Sequence, residues 1–125
     1  MESLQFSHRE MAAIIKLATM MAAADGQIHD DEKMMIAKEA MRFNLSPEKF
    51  QQRTELAQTL KGEEALLIIA TMNDAQKRYV TAYLGTLMAI DGKIDDKEET
   101  LWSFVSLVCK LPTMSVMDAI HYMDN

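Results

Sequence analysis

One cysteine, two prolines and four glycines are all that 125 residues contain of the types that staple, kink or turn a chain. A lone Cys109 can form neither an internal disulfide nor a Cys-pair zinc site, which favours a reducing compartment. So few turn residues leave a multi-stranded, turn-rich architecture without its corners. Basic charge is also short, with 13 Lys+Arg against 19 Asp+Glu, a net charge of −6 and a pI near 5.0. A general nucleic-acid binder needs a basic face, so nucleic acid is excluded as the expected partner. Long hydrophobic runs are missing too. Ala65 to Met72 is the most apolar stretch, and Lys16 interrupts the longer one from Met11 to Ala24. Neither approaches the ~20 residues that span a bilayer. The opening MESLQFSHRE carries Glu2 and no apolar run, unlike a signal peptide. The expectation is an acidic, cytoplasmic chain with no direct membrane insertion.

What is present is helical and repeats itself. Hydrophobic residues make up 49% and charged ones 26%, the balance of a globule with one core over residues 1–125. Residues 23–32 (AADGQIHDDE) and 89–98 (AIDGKIDDKE) share the frame Ala-x-Asp-Gly-x-Ile-x-Asp-x-Glu at an offset of 66. The same offset lays Ile14, Leu17, Ala18 and Met21 over Val80, Tyr83, Leu84 and Leu87, and Leu45 over Leu111. It also aligns Ser7-x-x-Glu10 with Asn73-x-x-Gln76, two helix starts in which an N-cap is answered three residues later. An internal duplication with halves at about 7–59 and 73–125 accounts for these matches.

Caps and spacing predict seven helices and an all-α fold: three helices, a connector and three more. The first runs from about His8 to Asp25 and ends at Gly26. The second runs from Asp30 to just before Asn44, with Leu45 packing back. Ser46-Pro47 opens the third, which Gly62 stops. Glu63 to Met72 is a short apolar connector expected to be buried. The series restarts with Asp74 to Asp91, Asp96 to Lys110 and Thr113 to Met123. Leu101, Trp102, Phe104, Val105, Leu107 and Val108 cover most of one helix's circumference. That helix is either central or at an oligomer interface, and the central position is the expected one. A homodimer stays open.

The two Asp-Gly-x-Ile loops support two readings. In the structural one, Gly26 and Gly92 end a helix and Ile28 and Ile94 plug the loop into the core. The acids that follow then favour a helix N-terminus by about 0.3–1 kcal/mol each. Asp95-x-x-Glu98 has capping-box spacing, whereas His29 is a poor cap and Asp30 takes that role. The functional reading is a metal. An EF-hand loop has a central Gly, an Ile two residues on and a bidentate Glu four residues after that. Asp25-Gly26-x-Ile28-x-x-x-Glu32 and Asp91-Gly92-x-Ile94-x-x-x-Glu98 both match this second half. The leading ligands would fall on Met21 and Ala23, and on Leu87 and Ala89, which offer a hard cation nothing. Neither loop is a complete EF-hand, but two loops brought together could pool their carboxylates.

With this duplicated motif and helix order, the chain resembles the tellurite-resistance TerB-like family from about Ser7 to Met123. The resemblance implies an all-α fold, acidic loop residues with a divalent metal as their ligand, and no established reaction. The loop carboxylates themselves supply the candidate ligands, Asp25 and Asp91 with Glu32 and Glu98 in support and Asp30 and Asp96 beside them, for calcium, magnesium or zinc. Related modules sit beside J-domains in co-chaperones. No His-Pro-Asp tripeptide occurs here, so that role does not carry over. The expected function is a non-catalytic module of the tellurite or stress response that acts through other proteins. The alternative is a metal-dependent enzyme with a carboxylate-only centre at the two loops.

Other conspicuous residues have plain explanations. Twelve methionines are soft ligands in principle. However, Met11, Met21, Met35 and Met41 lie at helical core spacing, where Met fills irregular gaps. Met114 and Met117 near His121 are too few for a soft-metal site. His8, His29 and His121 have no catalytic spacing, and no nucleophile elbow, phosphate loop or His-Glu-x-x-His occurs. Cys109 is expected to be a buried, inert thiol. Gly85, aligned with Thr19, is expected to let two helices approach closely.

Overall fold

Local hydrogen bonds start the helices where the sequence places its caps. In the computed structural model, which describes residues 4–24, 30–43, 45–90 and 96–124, helix α1 spans His8–Ala22. The Glu10 amide donates to Ser7 Oγ at 3.1 Å and the Ser7 amide donates to Glu10 Oε1 at 2.8 Å. Helix α2 is Asp30–Arg42, and α3 is Pro47–Thr59 with Ser46 accepting from the Lys49 amide. Helix α4 is Gly62–Ala70, where Glu64 reaches back to the Lys61 amide at 3.0 Å. Helix α5 is Asp74–Ala89, opened by a second capping box between Asn73 and Gln76. Helices α6 (Asp96–Val108) and α7 (Val116–Asp124) complete seven, and the described residues contain no strand. The fold is all-α.

Two helix starts differ from expectation, and α1 ends at Ala22 rather than at Asp25. Gly62 does not end α3. Leu60 has already turned to extended backbone, so Gly62 is the first residue of α4. Helix α7 starts three residues later than Thr113, because Ser115 and Asp118 form the cap there, with the Asp118 amide on Ser115 Oγ at 3.0 Å. Gly26, Gly92, Asn44, Ile28, Ile94, His29 and Asp95, on which the loop readings depend, lie outside the described residues.

Helices α1 and α5 form the centre. Helix α1 packs on α3, α4 and α5, and α5 packs on α7 and α6. All eight residues of the two apolar series are buried, from Ile14, Leu17, Ala18 and Met21 to Val80, Tyr83, Leu84 and Leu87. Each large side chain among them contributes about 1.5–3 kcal/mol by leaving water. Ala12, Ala13 and Ala18 are fully covered, and small residues there let neighbouring helices approach. The connector α4 is only half inside: Ala65 and Ile69 face the core, whereas Leu67 is exposed. The methionine expectation holds for Met11 and Met21, which are buried, and for Met35, which is partly so. It fails for Met41, which is exposed on the outer side of α2.

The largest departure is α6. Its apolar circumference was expected to make it central. Only Glu98 and Val105 along it are buried, while Phe104, Leu107 and Val108 are 53%, 79% and 45% exposed. The inner stripe carries Trp102, whose Nε1 donates to the Thr81 carbonyl at 3.3 Å, then Val105, then Cys109 just past the helix end. The outer stripe, at i, i+3 and i+4, has no helix over it among the described residues.

The end of α6 shows how the chain turns without a glycine. Lys110 has φ 54°, the left-handed region. The Leu111 amide donates to the Ser106 carbonyl at 2.9 Å and the Lys110 amide to Leu107 at 3.4 Å, the two bonds of a Schellman cap. A side chain there works against its own backbone by about 1–2 kcal/mol. Lys110→Gly is therefore expected to raise stability by about 1 kcal/mol in urea unfolding. An unchanged or lower midpoint would contradict the strain.

Candidate functional site

The six candidate metal ligands separate into three pairs. Asp30 and Asp96 are the first residues of α2 and α6 and are exposed. Glu32 and Glu98 occupy the third position of the same helices and are only 2% and 4% exposed. Asp25 and Asp91 lie outside the described residues. Among the described residues, no three His, Cys, Asp or Glu side chains converge as a metal site. Glu32 and Glu98 are 66 positions apart, the offset of the repeated loops. An acid in the first turn meets the positive end of the helix dipole, and each helix carries three there. The dipole does not require burial, though. Withdrawing a carboxylate from water costs several kcal/mol unless it is paired or hydrogen-bonded. Two carboxylates buried at matching positions of α2 and α6 are therefore chemically distinct from the exposed acids beside them.

A second constellation was not legible in the sequence. Tyr79 Oη donates to Glu39 Oε2 at 2.9 Å, and Glu39 also meets Arg42 at 3.5 Å. Around Tyr79 gather Phe6, Phe43 and Tyr83, with ring centroids 5.4 to 5.8 Å apart. Burial, reinforced by the Glu39 carboxylate, pushes the Tyr79 and Tyr83 phenols well above their ordinary range. Gln76 Nε2 donates to the Gln5 carbonyl at 2.8 Å and approaches Glu10 Oε1 at 3.4 Å, which pins the N-terminal segment over this cluster. The bond from Tyr79 to Glu39 clamps α5 to α2.

Two open grooves flank the bundle. One, of about 480 Å3, runs beside the N-terminal segment past Phe6, His8, Arg42 and Arg53. The other, of about 500 Å3, lies between α6 and the segment leading to α7, lined by Trp102, Ser106, Leu107, Lys110 and Met114 among others. Among the described residues, neither lining contains an aspartate, glutamate or cysteine. Cys109 is fully buried, its thiol donates to the Leu66 carbonyl at 3.3 Å, and burial raises its pKa. It is no activated nucleophile.

Gly85 has the packing role expected of it. A Cβ built there would lie 3.0 Å from both Ala119 Cβ and Trp102 Cζ2, so α5, α6 and α7 meet at this one position. No helix is long and apolar enough to cross a membrane among the described residues.

No protein-family model matches the chain, and no curated protein does. Among solved structures, the chain is similar to a protein of unknown function from Porphyromonas gingivalis, at 40% identity and a TM-score of 0.88. The match covers 100% of this chain and 95% of that one. The chain belongs to that protein's family. The family fold is thus the seven-helix arrangement described above, and it carries no activity over to this member.

Proposed function

We propose that this protein is a non-catalytic helical module of the tellurite or stress response, working in the cytoplasm by binding other proteins. The observation that carries the reading is the outer stripe of α6. Phe104, Leu107 and Val108 stand in water although two other helices fill the centre. Apolar residues aligned on one helix face are a common mark of a protein contact. The test is retention of a partner from the native cell on immobilised protein. Wild type and a Met34→Asp control, altered at an exposed methionine of α2, are expected to retain the same partner. Leu107→Asp is expected to lose it. Equal retention by all three would remove the α6 face from the function.

A divalent cation at the repeated loops is the second part of the proposal, and the matched burial of Glu32 and Glu98 supports it. Calcium takes six to eight oxygen ligands, more than one loop offers, so Asp25, Glu32, Asp91 and Glu98 would have to act together, with Asp30 and Asp96 assisting. A cation bound only by the folded state stabilises it by about 1.4 kcal/mol at ten times its dissociation constant. Thermal unfolding should therefore shift upward with calcium, magnesium or zinc, and less so in the Asp25→Asn, Asp91→Asn double variant. If the two proteins shift alike, the acids are helix caps alone. Turnover that depends on the added cation would instead favour the carboxylate-centred enzyme.

A further inference from the structure

We infer that the α6 face is a self-association surface, and that its occupant is a second copy of this chain. The inference rests on the proposal that this face is the contact surface, and it names the partner.

Charge is the first argument. A twofold interface sets a surface patch against its own copy. On a chain of net charge −6, most patches would bring acid against acid. The segment from Thr100 to Cys109 is free of charge for ten residues, between Glu99 and Lys110. The exposed methionines of α2, Met34 and Met41, have no such freedom, since Asp30, Asp31, Lys33, Lys38 and Arg42 surround them in sequence. The outer stripe of α6 can thus meet its own copy without acid against acid, with Lys110 as the charge beside it.

Shape is the second argument. A self-complementary patch needs a ridge and a hollow side by side, so that each copy fills the other. Phe104 and Leu107 supply the ridge. The groove of about 500 Å3 begins on the other flank of Leu107, with Trp102 and Met114 in its walls and Lys110 as the one charged residue among the described lining. A leucine or phenylalanine side chain fits readily in that volume.

Size sets the strength. A stable dimer buries roughly 800 Å2 per partner, about a tenth of the 7560 Å2 this chain exposes. Helix α6 is about 20 Å long at 1.5 Å per residue, so its outer stripe and the groove provide an interface at the small end of the range. The dimer should therefore dissociate on dilution.

Sedimentation equilibrium from micromolar to millimolar protein tests this. The wild-type mass should rise from 14.2 kDa toward twice that value, with Trp102 emission moving to shorter wavelength in step. Leu107→Glu and Leu107→Ser, at the most exposed ridge position, should retain wild-type helicity by circular dichroism and weaken association at least tenfold. Met34→Glu should associate like wild type. A chain that stays at monomer mass up to millimolar overturns the inference, and so does a dimer that both Leu107 variants leave intact. A monomeric wild type that still retains a partner through Leu107 would overturn the self-association alone and leave the contact-surface proposal standing.

Discussion

Gly85→Leu is expected to lower the unfolding free energy by about 3 kcal/mol or more, the upper end of the overpacking range. Position 85 is inside α5, where a glycine by itself costs about 0.5–1 kcal/mol relative to alanine. The chain accepts that cost because Ala119 of α7 and the indole of Trp102 lie 3.0 Å from where the first side-chain atom would be. Alanine would gain helix propensity and lose packing in similar amounts, so Gly85→Ala should shift stability little. Leucine adds three more carbons to a space already closed, and it must push α7 from α5 or displace Trp102. Urea unfolding followed by Trp102 fluorescence reads both effects, since it is the only tryptophan. A Gly85→Leu protein as stable as wild type would mean that the three helices do not meet as described.

Alkaline pH should unfold the protein through two tyrosines. In the unfolded chain each phenol ionises near 10.0, whereas in the fold burial and the Glu39 carboxylate raise both Tyr79 and Tyr83 well above that. The unfolded state therefore loses protons first as pH rises. The stability due to these groups is fully present below pH 10.0 and declines above it, until the folded phenols themselves ionise. The slope is about 1.4 kcal/mol per pH unit for each tyrosine, or roughly 2.7 for the pair. Two pH units above the unfolded value should thus remove about 5 kcal/mol, a large share of the ~5–15 kcal/mol that holds an ordinary domain together. Tyr83→Phe keeps the ring and removes the phenol, so it should halve the slope. Tyr79→Phe should halve it as well, and should also cost about 1.5–3 kcal/mol at neutral pH, because the bond to Glu39 is lost. Urea midpoints measured across this range decide the matter. If Tyr83→Phe and wild type decline in parallel, Tyr83 is not shielded in the way its burial indicates.

The family relationship bears on the fold and leaves the chemistry to the residues themselves. Its relative from Porphyromonas gingivalis shares 40% of its residues over the whole chain. The apolar stripe of α6 and the buried pair Glu32 and Glu98 are thus the features with which experiment can begin. Each has a variant that separates its contribution from overall stability: Leu107, which is exposed, and the loop aspartates, whose conversion to asparagine preserves shape.

Some of this protein was determined by neighbours three or four residues apart, and that part was legible in the sequence. Ser7 with Glu10, Asn73 with Gln76 and Ser46 with Lys49 start helices through bonds that close within one turn. The apolar series of α1 and α5 was equally plain, because a period of 3.6 fixes one face whatever covers it. Gly85 could be placed in a packing role because its counterpart in the repeat, Thr19, has a side chain. What covers a face is another matter. Helix α6 is apolar on two sides, and periodicity is the same whether the second side meets a helix or water. Only the packing of α1 and α5 at the centre decided that Val105 went inside and Leu107 stayed out. The bond from Tyr79 to Glu39 joins residues 40 apart, and the burial of Glu32 and Glu98 depends on elements far along the chain. Composition could identify those acids as candidates. The loop spacing set them ahead of Asp30 and Asp96 as ligands but could not show that they are buried, because withdrawal of a carboxylate from water is imposed by the surrounding fold.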